Sequence, residues 1–283
     1  MRYMNGRLPY LNIGCGSKYH GDWVNVDLNP HSRDVMSYNI LKSLPFPDET
    51  FEVIYHSQVL EHIPKKRALD FIRECRRVLK KNGIIRVVVP DLENIAGEYI
   101  KLLRKNLKSP SRESEANYDW IMLELYDQAV RDTSGGEMAE YLQQKKMINE
   151  SYVIERAGYV ARLLRERFLS DTGDSVKDKI TRDIRSLGFP ELTKKVLRFT
   201  KERIFQLFLG EKYRIGNFRM AGENHLWMYD RYSLSRLLKS AGFRNIKVKD
   251  PFISDISDWH KYELDVKEGF VFDPTSLFME ARK

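Results

Sequence analysis

The segment Leu11-Asn12-Ile13-Gly14-Cys15-Gly16-Ser17 carries the strongest fold signal, because an apolar run leads directly into a Gly-x-Gly turn. Glycine lets the backbone adopt positive φ and pass close to a ligand. The next β-like run, Trp23–Asp27, ends in a carboxylate. A carboxylate at the tip of the neighbouring strand can accept hydrogen bonds from both ribose hydroxyls of an adenosine. The two features together predict a nucleoside ligand at the carboxyl ends of two adjacent strands.

Nicotinamide dinucleotides use the same device, but the spacing argues against them. Their fingerprint has a third glycine three residues after the second, where this chain has Tyr19. Its acidic residue comes about 20 residues on, whereas Asp27 follows Gly14 more closely. Without a pyrophosphate cradle, the pattern favours an adenosine ligand that has no phosphate, such as S-adenosylmethionine (SAM).

Residues 8–100 alternate short β-like runs with helical patterns, which is typical of a parallel α/β sheet. Apolar residues at helical spacing predict an amphipathic helix over Lys65–Lys80, and Gly83 behind it suits a left-handed turn. The predicted strands are Tyr10–Ile13, Trp23–Asp27, Val35–Asn39, Glu52–His56 and Ile84–Val89.

The remainder of the chain divides into a helical part and a second α/β part. Residues 101–212 are highly charged and too long for a plain loop. Residues 213–283 return to α/β character, with Asp230 predicted to cap a helix over Arg231–Ser240. We therefore predict a core of residues 1–100 plus 213–283, and an insertion at 101–212 for acceptor recognition. Further predicted elements are helices Tyr118–Arg131, Glu137–Leu164 with an interruption at Gly158, and Leu192–Leu209, and edge strands Ile246–Val248 and Leu277–Ala281.

Ordered blocks of the sequence resemble class I SAM-dependent methyltransferases of the type 11 kind. These blocks are LNIGCG, WVNVDL, LPFPDETFEVIYHSQVLEHI and RRVLKKNGIIRVVVPD. The tail HLWMYDRYSLSRLLKSAGF is similar to bacterial methyltransferases of polysaccharide biosynthesis loci. The resemblance implies a Rossmann-like α/β fold, in which a seven-stranded sheet has an antiparallel last strand, and SAM as the cofactor.

The resemblance also implies roles for individual residues. The two glycines of the turn would pass under the methionine part of SAM, and Asp27 would hold the ribose. Asn39 would read the adenine amino group, although it can also serve only as a turn cap. Asn12 departs from the family, which usually has an acidic residue in the first strand. The implied cofactor-binding residues are Asn12, Gly14, Gly16, Asp27, Leu28, Asn39, Ile40, Ser57 and Gln58.

An alcohol acceptor is a poor nucleophile, so a general base near the methyl group would accelerate transfer. His225 is the first candidate, because its ordinary pKa suits base catalysis at neutral pH. Asp91 and His62 are the second and third candidates. Each has a structural alternative: a loop-fixing hydrogen bond for His225, a cap of helix Leu92–Ile100 for Asp91, and simple packing for His62.

No metal site is predicted, because Asp91 and Glu93 lack a third ligand in the sequence. The net charge of +8 favours anionic partners in general, but no nucleic-acid motif accompanies it. Two isolated cysteines, no secretory leader and no long apolar run predict a cytoplasmic protein. The basic amphipathic segment 194–209 can lie on the inner face of an anionic membrane, or pack on its own domain or a partner subunit.

The leading hypothesis is O-methylation of a sugar in a cell-envelope or secreted glycan. One alternative is a small-molecule O- or N-methyltransferase of secondary metabolism. The other is a SAM-binding partner subunit without catalytic activity. The sequence leaves the acceptor and the oligomeric state open.

Overall fold

The computed structural model describes residues 8–30, 32–170 and 210–283. The predicted helix Leu192–Leu209 and the basic segment 194–209 lie outside the described residues. Residues 210–220 are helical. Within the described part of the chain, no helix combines the length and apolar character needed to cross a membrane.

A seven-stranded sheet forms the centre of the fold. Its strands are β1 Tyr10–Ile13, β2 Val24–Asp27, β3 Val35–Ser37, β4 Phe51–Ser57, β5 Leu79–Pro90, β6 Arg244–Lys249 and β9 Ser276–Arg282, with a separate hairpin of β7 Val266–Lys267 and β8 Phe270–Val271. Across the sheet the strand order is β3-β2-β1-β4-β5-β9-β6. Strands β1 to β5 pair in parallel, and β9 lies antiparallel between β5 and β6. This arrangement confirms the predicted Rossmann-like sheet with the two late strands at its far edge.

The order of the strands reverses at β1, which pairs with β2 on one side and β4 on the other. Open α/β sheets bind ligands in the crevice at the carboxyl ends of the strands beside such a switch point. The turns after β1, β2 and β4 therefore mark the expected ligand site.

Besides the helical residues 210–220, six helices in the described part of the chain surround this sheet or form the insertion. Their bounds are α1 Lys65–Val78, α2 Leu92–Lys108, α3 Arg112–Val130, α4 Gly136–Leu142, α5 Glu150–Ser170 and α6 Arg231–Ser240. The α6 bounds agree with the prediction, and Asp230 caps it by accepting a hydrogen bond from the Ser233 amide. Helix α2 runs through residue 100, where the insertion was predicted to begin.

The structure corrects one helix prediction and one turn prediction. The helix predicted over Glu137–Leu164 is divided into α4 and α5. The predicted interruption at Gly158 is confirmed by a φ of 74°, and a Cβ there would lie 2.4 Å from the Phe272 carbonyl oxygen. The left-handed turn after α1 lies at Asn82, with φ 60°, and not at Gly83. Gly83 is instead constrained by packing, because a Cβ there would meet the Leu79 side chain at 2.8 Å.

Apolar side chains cover both faces of the sheet. One cluster joins β1 and β4 to α1 and α6, and includes Leu11, Ile54 and Ile72. A second, aromatic cluster on the opposite face includes Trp23 and Tyr55. This two-sided burial explains why β4 is buried at every position except Glu52.

Candidate active site

The glycine loop after β1 is held in a conformation that requires glycine. Gly14 and Gly16 have φ angles of 65° and 52°, in the left-handed region. The Gly14 amide donates to the Val26 carbonyl at 2.7 Å, which ties the loop to β2. The buried Asn12 side chain stabilises the loop, because its Nδ2 donates a hydrogen bond to the Lys18 carbonyl at 2.9 Å. Asn12 therefore organises the loop that the sequence assigned to the cofactor.

Asp27 at the end of β2 faces the same loop. Its Oδ2 accepts a hydrogen bond from the Gly16 amide at 2.8 Å, and its Oδ1 accepts one from the Asn29 amide at 2.8 Å. A carboxylate oxygen can accept two hydrogen bonds, so each oxygen keeps acceptor capacity for a ribose hydroxyl. The carboxylate thus fixes the loop and retains the capacity to bind a diol.

The residues assigned to the adenine lie at the outer side of this site. Leu28 is 52 % exposed, which leaves its side chain accessible to a planar ligand. Asn39 Oδ1 accepts a hydrogen bond from the Leu41 amide at 2.9 Å, so the turn-cap contact is present. Ile40 packs against the main core. Adenine contacts by these three residues remain a prediction.

The turn after β4 places Ser57 and Gln58 at the switch point. Gln58 has a φ of 55°, an uncommon conformation for a residue other than glycine. Its Nε2 donates to Ser276 Oγ at 2.8 Å, which joins this turn to the start of β9. The neighbouring Val59 packs against Gly14, and a Cβ added to Gly14 would lie 2.5 Å from Val59 Cγ2.

The same turn continues into a buried cluster of Glu61, His62 and His225. His225 Nε2 lies 4.0 Å from Glu61 Oε1, and the two histidine rings are 4.8 Å apart between centroids. Backbone contacts fix this arrangement, because the Leu226 amide donates to the Glu61 carbonyl at 2.7 Å. Two of the three predicted bases, His62 and His225, therefore lie side by side although they are 163 positions apart in the sequence. The third, Asp91, belongs to another turn.

Burial determines the charge states of this cluster. It raises the pKa of Glu61 to about 8 and lowers the pKa of His225 to about 3, with His62 and Arg131 adding to the latter shift. Burial also lowers the pKa of His62. Both histidines are consequently neutral at pH 7, and His225 is a weaker proton acceptor than an exposed histidine.

Asp91 begins α2 and caps it. Its Oδ1 accepts a hydrogen bond from the Glu93 amide at 3.0 Å. Burial raises the pKa of the Asp91 carboxyl, against the effect of hydrogen bonds from backbone amides of α2. The capping alternative is therefore present in the structure, and the catalytic role of Asp91 stays a prediction.

A small polar cavity of about 110 Å³ lies between the carboxyl edge of the sheet and the insertion. Its floor includes Gln58 and Ser276, and α3 and α5 contribute Glu124, Gln128 and Arg156. The Arg156 guanidinium donates two hydrogen bonds to the Glu124 carboxylate, at 2.8 Å and 2.6 Å. Sequence reasoning missed this cavity, because no local pattern shows which faces of the insertion helices meet the sheet.

Gly14→Ala is expected to destabilise the fold by about 2 kcal/mol or more and to abolish nucleoside binding. The left-handed backbone costs about 1–2 kcal/mol for a side chain, and the new Cβ would overlap Val59. Gly16→Ala is the matched control, because it also places a side chain at positive φ but its Cβ would meet no atom of the described residues within 4 Å. Thermal unfolding should show the larger loss for Gly14→Ala. Equal melting temperatures for Gly14→Ala and the wild type would contradict the packing.

The family that matches this chain does so over the segment that builds this site. Residues 11–87 match the family described as "Methyltransferase domain". A probable S-adenosylmethionine-dependent methyltransferase of Mycobacterium tuberculosis is 33% identical over 99 residues, which cover 29% of this chain and 35% of the relative. An uncharacterised protein of Methanocaldococcus jannaschii is 30% identical over 116 residues, covering 35% of this chain and 49% of the relative. The chain thus spans between a third and a half of the length of these curated relatives.

Solved structures give a weaker likeness. A SAM-dependent methyltransferase from Archaeoglobus fulgidus aligns over 100% of this chain and 89% of its own, with a TM-score of 0.39 and 12% identity. The family match itself runs from β1 into β5. It therefore includes the glycine loop, Asp27 and the turn that carries Glu61 and His62.

Proposed function

We propose that this chain is a SAM-dependent methyltransferase that O-methylates a sugar hydroxyl of a cell-envelope or secreted glycan. One observation carries the enzyme class: the glycine loop and the Asp27 carboxylate meet at the switch point of the sheet. The family match covers the same residues. The glycan acceptor rests on the resemblance of the tail and on the polar cavity.

The residues at this site fit SAM. No atom of the described residues lies within 4 Å of a Cβ built at Gly16, so these residues leave open space on that side of the loop. Gly14 and Gly16 would hold the methionine part, and Asp27 the ribose diol. Leu28, Asn39 and Ile40 would border the adenine, with Ser57 and Gln58 near the sulfonium. SAM supplies an electrophilic methyl group, so the protein must position the acceptor in line with it and exclude water.

The hydroxyl proton needs an acceptor near the methyl group, and His225 is our first candidate. Its ring is neutral at pH 7 because burial lowers its pKa. Glu61 Oε1 lies 4.0 Å from its Nε2, and burial raises the pKa of Glu61 to about 8, so most Glu61 is protonated at pH 7 and the ionised fraction grows as the pH rises. The ionised form would stabilise the imidazolium formed. Asp91 and His62 are the second and third candidates for the same task.

The polar cavity supports a polyhydroxylated acceptor. Gln58, Gln128 and the Arg156–Glu124 pair present hydrogen-bond donors and acceptors in a small space. A site built from such groups discriminates strongly in favour of substrates that complete its hydrogen bonds. This argument favours a sugar over an apolar small molecule.

Transfer of labelled methyl from SAM to a glycan panel tests the proposal, with the methylated oxygen located by mass spectrometry. Label on a sugar hydroxyl supports it. Label only on small phenols or amines would favour the small-molecule alternative, and SAM binding without transfer to any acceptor would favour the silent partner subunit. Unchanged turnover in His225→Ala would remove His225 as the base.

Gln128→Leu is expected to raise the KM for the acceptor by about 10-fold, the cost of one lost hydrogen bond of about 1–1.5 kcal/mol. The Gln128 side chain lines the cavity, whereas its backbone carbonyl holds the His225 amide and is unchanged by the substitution. SAM affinity should stay within about twofold. The exposed Gln143 at the end of α4, changed to leucine, is the control. Equal acceptor KM values in the two variants would contradict the cavity assignment.

We further propose a cytoplasmic enzyme that touches the inner face of the membrane through segment 194–209. A lipid-linked acceptor would be presented at that surface, and basic amphipathic segments bind anionic lipids. Flotation with anionic liposomes should recover the protein, and its absence from the lipid fraction would refute the membrane contact.

A further inference from the structure

We propose that Glu61, His62 and His225 bind one divalent transition-metal ion. Candidate ligand atoms from the three side chains all lie within 4.8 Å of one another. The sequence predicted no metal because it considered only Asp91 and Glu93. The third ligand of this cluster, His225, comes from the far end of the chain and becomes visible only in the fold.

The Glu61 carboxylate is the strongest observation. The residue is 1 % exposed, and neither carboxylate oxygen has a hydrogen-bond partner among the described residues. A buried carboxylate is strongly unfavourable unless it is neutralised, paired or bound to a metal. Its Oε1 lies 4.0 Å from His225 Nε2, which is beyond hydrogen-bond distance. The carboxylate is therefore directed at an imidazole that it does not reach, and a cation between them would satisfy both.

The His62 ring is oriented as a metal ligand is. His62 Nδ1 lies 3.0 Å from the Asn224 carbonyl oxygen, so a proton on Nδ1 leaves the Nε2 lone pair available. Ligating histidines are typically fixed through their second nitrogen in this way. The His225 amide donates to the Gln128 carbonyl, and the Leu226 and Trp227 amides both donate to the Glu61 carbonyl. The backbone thus holds the three side chains in place.

The donor set selects the class of metal. Two imidazole nitrogens and one carboxylate oxygen suit Zn²⁺, Co²⁺, Fe²⁺ or Mn²⁺. Mg²⁺ and Ca²⁺ prefer oxygen ligands throughout. Three protein ligands leave a coordination position open. If the proposed function holds, an acceptor hydroxyl at that position would lose its proton more readily. His225 would then be a ligand and not the base, and Asp91 would be the remaining candidate to accept the proton. Metal binding itself does not depend on the proposed function.

Titration of the EDTA-treated 283-residue chain with Co²⁺ tests the proposal, because visible absorption bands report cobalt bound to nitrogen and oxygen ligands. We expect one equivalent to bind and Zn²⁺ to displace it. Loss of an outer hydrogen bond to a ligand typically costs about 10–100-fold in affinity, so Glu61→Gln and His225→Gln should each cost about 100-fold or more. The exposed His260→Gln is the control and should bind as the wild type does.

Circular dichroism and SAM titration of each variant separate lost ligands from lost folding. His62→Gln provides a third variant if either of the others unfolds. Absence of saturable Co²⁺ binding in the wild type, or equal affinity in folded Glu61→Gln and His225→Gln, would overturn the metal site. Co²⁺ binding without SAM binding would instead uphold the metal site and refute the proposed function.

Discussion

Asp27→Ala is expected to weaken SAM binding by about 10²–10⁴-fold. The variant loses the charged acceptor of two hydrogen bonds that the ribose hydroxyls would donate, each worth about 1.5–3 kcal/mol. It also releases the Gly16 amide, which donates to Asp27 Oδ2 at 2.8 Å. Equilibrium dialysis with labelled SAM measures the change.

Asp70→Ala is the control for this substitution, because it removes a carboxylate whose side chain is 76% exposed on α1. Its SAM affinity should equal that of the wild type. Asp27→Asn should fall between the two, since its amide keeps one acceptor oxygen. Wild-type affinity in Asp27→Ala would show that the ribose is held elsewhere.

Arg86→Met is expected to lower the free energy of unfolding by about 3–5 kcal/mol or more, the usual cost of breaking a buried ion pair. Arg86 lies in β5 and is fully buried, and its guanidinium contacts Asp265 at 2.7 Å and Glu280 at 2.6 Å. The substitution leaves the buried Asp265 without its ion-pair partner, whereas Glu280 keeps Lys249 Nζ at 3.7 Å. Tyr55 donates to Asp265 at 2.6 Å but adds no positive charge.

The loss should grow with pH. Burial already raises the pKa of Asp265, and Arg86 opposes that shift. Without Arg86, the folded-state pKa rises further above the unfolded value, so stability falls as pH increases between the two values. Urea unfolding at pH 5 and pH 8 should show the larger deficit at pH 8. Arg73→Met removes an exposed ion pair on α1 and should cost less than about 1 kcal/mol; a similar cost for Arg86→Met would contradict this account.

Local signals predicted the parts of the fold that are local in sequence. Strand β1 occupies the predicted residues, because an apolar run and a glycine turn define its two ends. Helix α6 likewise begins after the predicted cap Asp230. The glycine loop and Asp27 meet as predicted because the connection between β1 and β2 is short and the two strands are neighbours.

Contacts between distant segments could not be predicted in the same way. Glu61 and His225 come together only when residues 224–227 dock on the turn after β4. Arg86 interrupts the apolar run Ile84–Val89 of β5, and its partner Asp265 lies in a segment without periodic pattern. The polar cavity depends on how α3 and α5 pack over the sheet. None of these contacts leaves a spacing signal in the sequence.

Calorimetric titration of the wild-type chain with S-adenosylhomocysteine tests the central claim most directly, because this product shares the adenosine and amino-acid parts of SAM. The account predicts saturable heat with one site per chain. A titration without binding heat across several temperatures, on protein that is folded by circular dichroism, would contradict a nucleoside site at the glycine loop and Asp27.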